Sequence, residues 1–281
     1  MDWEKRRELR LQPQHEALTY AYLPQYSHTV SYQRHNALVS YLREETDLPV
    51  RQVFPDTFDE HIKMVGQGKI DISFSNPMVY VKIAEQYGAS AFARIVESSG
   101  RAKFRGQIIC RRDNKAIESL KDCRGKSWIA VDAHSAGGYL FDLGVFLRHG
   151  IRRSDFSEIA FAPGPGGKQE KVVLAVYAGK YDIGSIREGT LSVVEDAIDV
   201  DQIRVLEQTP WYPGWVYAAR KDLPQKTVDK IRQALLELDP SRPEDEDILQ
   251  RAGFEAVIPS SDADYKPVRE LMRTIGVDSD A

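Results

Sequence analysis

A six-residue phrase occurs twice in this chain, and it constrains the fold more than any other feature. Gly68-Lys69-Ile70-Asp71-Ile72-Ser73 returns as Gly179-Lys180-Tyr181-Asp182-Ile183-Gly184. A short helical pattern precedes each copy: Ile62, Met64 and Val65 before the first, and Val172, Val173, Val176 and Tyr177 before the second. After each comes a small polar residue and another helical run. Ser75-Asn76-Pro77 leads into Met78–Ala84, and Ser185 into the run through Leu191 and Val194. A helix–Gly–strand–helix unit used twice predicts two similar α/β lobes facing each other. That arrangement suits closing on a small ligand better than hiding a catalytic triad.

With 281 residues the chain can form one large domain or two ordinary ones around a substantial core. Its 42% hydrophobic and 28% charged content are those of a globular protein. A net charge of −4 and a pI near 5.9 argue against a nucleic-acid backbone or an anionic membrane as partner. The basic residues are dispersed among acids, as on a solvated surface. No apolar stretch approaches the roughly 20 residues that cross a bilayer. Met1–Gln14 is charged and lacks the apolar core of a signal peptide. Two expectations stay open on that ground: a cytosolic protein, or a mature or trimmed chain. Cys110 and Cys123 have no second pair to complete a metal set, and two unlinked buried thiols are favoured over a disulfide.

Residues 1–16 read as a polar tail or short leading helix. Strands are expected at Leu18–Leu23, Val50–Phe54 and Ile70–Phe74, with a shorter one between Ala91 and Val96. Ser27 or Ser31 can cap a first helix with Leu38, Tyr41 and Leu42 inward. Phe58–Gly66 forms a second helix, and Pro77 sits at the favoured first position of a third. A new β/α series starts at Gly125–Val131 and runs to Ile203–Glu207. Gln107–Arg111 and Trp215–Arg220 read as partner strands crossing between the lobes, and two crossings permit hinge closure. Helical segments near Val228–Leu238 and Tyr265–Ile275 complete the chain.

The strongest local chemistry lies at helix starts. Asp132-Ala133-His134-Ser135-Ala136-Gly137-Gly138 follows a strand and precedes an apolar helix, which frees amides and a hydroxyl to meet an anion. Ser75-Asn76-Pro77 makes the same offer from the other lobe. Simple capping explains either site alone; matching positions on matching lobes favour a shared anion site. Ala162–Glu170 is Gly- and Pro-rich, but Gln169 stands where a P-loop needs Ser or Thr, and no dinucleotide fingerprint is present. A flexible turn is its plain reading; functionally, Gly166 and Gly167 offer amides and Lys168 a rim charge. Tyr26 and Trp211, in loops at strand ends, are the best candidates for an aromatic wall. The six His residues form no zinc spacing, and no G-x-S-x-G elbow occurs. His134 reads as a loop residue rather than a base, and Asp71 and Asp182 as residues that tie down turns.

Several phrases then carry a resemblance, in order along the chain. They are Ala21–Pro24, Gly68–Asp71 leading to Ser75–Tyr80, Ile117–Lys126, Asp132–Gly138, Ala178–Asp182 and Thr209–Gly214. Together they resemble the phosphate/phosphite/phosphonate substrate-binding proteins of ABC transporters, over about Leu18 to Arg220. The resemblance implies a type II periplasmic-binding-protein fold, with lobe 1 at 17–106 plus 216–281 and lobe 2 at 107–215. Each lobe would be a mostly parallel sheet flanked by helices. It implies an oxyanion held by Ser135, Gly137 and Gly138 from lobe 2 and by Ser75 and Asn76 from lobe 1. Tyr26, Ser27 and His28 would lie near the opening loop, with Lys168, Ser185 and Trp211 completing the ligand-binding set. Where members commonly show Ser-x-Ser-Gly, this chain has Ser135-Ala136-Gly137-Gly138, and Lys168-Gln169 stands where many carry His. No acid near Tyr212–Trp215 would meet an aminophosphonate amine, though Glu188 is a candidate neighbour.

The expected function is therefore non-enzymatic capture of a small oxyanion or anionic organic ligand outside the cytoplasm, for an ABC importer. No metal or cofactor is expected; the partners are the ligand and a membrane permease, with a monomer as default. The alternatives are the sensing domain of a signalling receptor and an enzyme on the same scaffold.

Overall fold

The computed structural model describes residues 17–164 and 166–276; the expected tail at 1–16 lies outside them. The first stretch alternates strand and helix: β1 (Leu18–Tyr22), α1 (His28–Thr46), β2 (Val50–Val53), α2 (Phe58–Gly66), β3 (Ile72–Ser75), α3 (Pro77–Tyr87) and β4 (Ser90–Glu97). The helix starts are fixed locally. Ser27, Thr57 and Asn76 each accept a hydrogen bond from a first-turn amide, and Pro77 needs no partner for the amide hydrogen it lacks. After β5 (Lys103–Phe104) come β6 (Gly106–Arg111) and β7 (Ser127–Ala130). A π-helical turn at Ala136–Leu140 then runs into α4 (Phe141–Arg148). Next are β8 (Glu158–Phe161), α5 (Lys168–Tyr177), β9 (Ile183–Arg187), α6 (Thr190–Val194), β10 (Ile203–Gln208), β11 (Tyr212–Pro213) and β12 (Val216–Ala219). The last described elements are α7 (Gln225–Glu237), α8 (Pro243–Ala252), β13 (Phe254–Pro259) and α9 (Lys266–Ile275).

Two main sheets result, ordered β13-β4-β12-β3-β1-β2 and β10-β6-β9-β7-β8. In both, three strands are parallel (β2-β1-β3 and β8-β7-β9) and the next is antiparallel (β12 and β6). The sheets are thus mixed rather than mostly parallel, because strands entering across the joint run against those already laid down. The repeated phrase leads into β3 and β9, which hold equivalent places. Gln107–Arg111 and Trp215–Arg220 correspond in the same sense: β6 and β12 are the fourth strands of opposite sheets, not partners of each other. The two passages between lobes meet instead in a short ribbon, Tyr212 opposite Phe104 and Pro213 opposite Lys103.

Burial follows the pleat. Ile108 and Trp128 pack on one face of the five-stranded sheet with Tyr139, Phe146 and Ile183, while Ile109 and Ile129 pack on the other with Val172, Val173 and Val176. The six-stranded sheet's core continues through the ribbon to Phe104, Leu140, Phe141 and Tyr212. Helix α9 also spans both lobes: Leu271 packs so closely on α4 that a side chain on Gly144 would meet it at 2.5 Å. Cys110 and Cys123 are both buried free thiols.

Candidate ligand-binding site

The two sheets point the ends of β3 and β9 at one another, and the lobes touch through a few directed contacts. Gly167 donates its amide to Gln25 O at 3.2 Å, and Asn76 Nδ2 donates to His134 O at 3.1 Å. Arg187, at the end of β9, forms a hydrogen-bonded ion pair with Glu97, at the end of β4. His134 Nδ1 lies 3.3 Å from Asp59. Gly166 has φ +65°, and a Cβ there would lie 2.9 Å from Ser27 N, so this approach requires glycine.

Between the lobes lies a cleft of about 590 Å3. Lobe 1 lines it with Pro24, Tyr26, Arg34, Phe58 and Glu97, and the joint adds Lys103, Phe104 and Trp211. Lobe 2 contributes Val131, Lys168, Gln169, Arg187, Glu188 and Thr190. Its cations are placed individually. Lys168 Nζ bonds Asp132 at 2.6 Å and sits 5.7 Å from the Phe58 ring. Burial alone would raise the Asp132 carboxyl, but hydrogen bonds from His134 and Lys168 outweigh it and hold the group at about 2. Gln169 Oε1 accepts from Arg187 N at 2.8 Å, joining the start of α5 to the end of β9. Trp211 is faced by the guanidinium groups of Arg101 at 5.0 Å and Arg105 at 4.4 Å. Arg105 Nε in turn bonds Glu188 at 2.8 Å.

Of the residues expected at the site, Tyr26, Lys168 and Trp211 line this cavity. The helix-start residues meet each other instead. Asn76 caps α3 through Met78 N and Val79 N and reaches across to His134 O. Ser135 accepts from Gly138 N at 3.1 Å, and Ser75 is fully buried with an unpartnered hydroxyl. Gly137 and Gly138 are covered by cavity-wall residues; added side chains would strike Phe104 at 2.7 Å and Val131 at 2.4 Å. Ser27 caps α1 at the exposed rim, and His28 pairs with Asp56 at 3.0 Å against the Phe54 ring. Ser185 is not in the cleft wall: it is buried inside lobe 2, accepting from Trp128 Nε1 at 2.9 Å. Counted from the two repeated aspartates, Ser185 matches Phe74, not Ser75. A one-residue offset in a strand moves the side chain to the other face.

By the same count Arg187 matches Asn76, a signal that would have brought it into the site from the sequence. Arg34 carries a fainter one, four residues before Leu38 on the inward face of α1. Glu97, Lys103 and Phe104 carry none, since their place depends on how the chain turns at the joint.

Two lobes, two passages and a cleft between them define a type II periplasmic binding protein. Solved structures share that fold: PhnD1 from Prochlorococcus marinus in complex with methylphosphonate has a TM-score of 0.80 at 16% identity, covering 93% of this chain and 98% of its own. A binding protein component of an ABC phosphonate transporter from Pseudomonas aeruginosa has a TM-score of 0.79 at 19% identity, covering 94% and 89%. In sequence, residues 20–265 match the family described as ABC transporter, phosphonate, periplasmic substrate-binding protein, and the chain belongs to it. The phosphonates-binding periplasmic protein of Escherichia coli K12 is 23% identical over 237 residues, which is 82% of this chain and 68% of that one.

Proposed function

We propose that this protein captures a phosphonate or related phosphorus oxyanion between its lobes and presents it, outside the cytoplasm, to the permease of an ABC importer. It does so as a monomer and without turnover. The lobes are 17–106 with 216–281, and 107–215, pivoting at the β5–β11 ribbon. The observation that carries this reading is the cleft between the lobes, in which cations from both, Arg34 over Tyr26 and Lys168 over Phe58, face aromatic walls. The oxyanion sits against Lys168, the start of α5 and Arg187, with Tyr26 opposite, and its organic part runs toward Trp211. The helix starts at Asn76 and Ser135 meet beneath it and register closure.

The test is a thermal-shift series with methylphosphonate, phosphite, phosphate, sulfate and acetate, followed by calorimetry on variants. A ligand that binds only the folded state raises Tm with its concentration. Methylphosphonate or phosphite is expected to raise Tm where acetate does not. Lys168→Gln is expected to weaken binding at least tenfold, since a hydrogen bond to a charged group contributes about 1.5–3 kcal/mol. Ser135→Ala is expected to act on stability, through a lost cap of about 0.5–2 kcal/mol. Silence toward every phosphorus oxyanion would count against the reading, and a tenfold affinity loss in Ser135→Ala would return the anion to the helix starts.

A further inference from the structure

Arg34, Arg101 and Lys103 line the cleft without an ion pair to any described residue, and of these three Arg34 is the one with a buried guanidinium nitrogen left without a partner. Arg187 has Glu97 and Lys168 has Asp132, but Arg34 makes no ion pair with any described residue. Its Nε is buried without a hydrogen-bond partner. The guanidinium lies 4.7 Å from the centre of the Tyr26 ring, which fixes its plane against the cavity wall. Space for it depends on Gly253, where a Cβ would come within 1.8 Å of Arg34 Nη2. Gly253 also has φ +86°, so a side chain there would be strained as well as displacing the guanidinium. A half-buried donor that is held in place yet unsatisfied is costly unless something arrives to accept from it.

The size of the cleft bears on what arrives. A volume of about 590 Å3 falls in the range that encloses ligands larger than methylphosphonate. Of its acids, Glu188 is engaged by Arg105, and Glu97 by Arg187 through one oxygen. Glu170 stands in the first turn of α5, where the helix amides favour a negative group. Glu97 Oε1 remains unbonded and buried, a place for one hydroxyl or amine hydrogen.

We infer that the ligand carries a second acidic group besides its phosphorus oxyanion, and that Arg34 receives it as a specificity-determining residue. This rests on the reading above, with the oxyanion at Lys168 and Arg187, and adds the chemical class: an organic phosphonate bearing a carboxylate. Guanidinium suits the role because its fixed fork matches a carboxylate with two parallel bonds.

The experiment is calorimetry of the full chain with phosphonoacetate and 3-phosphonopropionate, against ethyl- and propylphosphonate and 2-aminoethylphosphonate. A carboxylate-bearing phosphonate is expected to bind at least tenfold tighter than the neutral-tailed ones, and Arg34→Gln to collapse that ratio toward one. Equal affinities in the unaltered protein, or a preference for the aminophosphonate, overturn the inference while leaving phosphonate capture standing. Failure of every phosphonate to bind overturns both. The ligand comparison needs no variant, so it decides even if Arg34→Gln folds poorly; Arg34→Lys, which keeps the charge without the fork, is expected to lower the ratio in part.

Discussion

Asp142 sits at the start of α4 with no solvent exposure, and no well-formed hydrogen bond reaches either carboxylate oxygen. Burial pushes its carboxyl well above the ordinary range, and the Ser185 hydroxyl offsets only part of that. Its folded pKa lies above its unfolded one, so its contribution is fully present below the unfolded value and lost as pH rises through the folded value. Asp142→Asn keeps the shape and removes the ionisation. It is expected to raise Tm relative to the unaltered protein at pH 8, with a smaller difference at pH 5, in paired thermal melts; an equal or greater loss at pH 8 would contradict this. Nothing in the sequence marks Asp142, because an acid in the first turn of a helix reads as a surface residue until the strand above it is in place. Ser185 misleads for the complementary reason: its neighbourhood is legible, but the face it occupies turns on a single residue of register.

The repeat is most legible at the level of the element. Asp71 Oδ2 accepts from Thr19 N at 2.7 Å and Thr19 Oγ1 at 2.8 Å, and Asp182 Oδ2 accepts from Ser127 N at 2.9 Å and Ser127 Oγ at 2.8 Å. The hydroxyls accept in return from Asp71 N and Asp182 N. Each aspartate thus joins the turn before β3 or β9 to the first residue or edge of β1 or β7, which fixes the register of the parallel pair. Asp71 has Arg220 as a further partner at 2.6 Å; Asp182 has no ion pair with a described residue. Asp182→Ala is expected to cost about 2–4 kcal/mol, the worth of two bonds to a charged group less some relaxation. Urea unfolding measures this, and a loss below about 1 kcal/mol would show that the pair contributes little. The sequence showed the aspartates as turn fasteners and placed strands and helices in order. It did not show the ribbon at the joint, because two-residue strands carry no period, nor which antiparallel strand enters which sheet.

At the scale of the whole molecule, the described histidines that burial holds neutral both lie in the first lobe. Desolvation lowers His35 from 6.5 to about 3, with the Arg34 charge adding to it, and lowers His61 to about 3. His35 Nδ1 meets Tyr20 Oη at 2.8 Å and His61 Nε2 meets Ser73 Oγ at 2.7 Å, both in the interior. Each ring stays neutral in the folded protein below pH 6.5, while the unfolded chain takes up the proton, so stability falls as pH drops from about 6.5 toward 3. Two such groups give a slope of up to roughly 2.7 kcal/mol per pH unit. Urea melts between pH 7 and 4.5 are expected to show this fall, and His61→Gln to flatten the slope by about half. A slope unaffected by that change would place the acid sensitivity elsewhere.

The exchange of fourth strands between the sheets also sets an order of completion during synthesis. The five-stranded sheet is contiguous from β6 to β10, so all its strands exist once Gln208 has been made. The six-stranded sheet begins at Leu18 but lacks β12 until Ala219 and β13 until Pro259. As the chain emerges from the ribosome, β3 and β4 wait for β12 to lie between them, and the lobe begun first is the last to be finished.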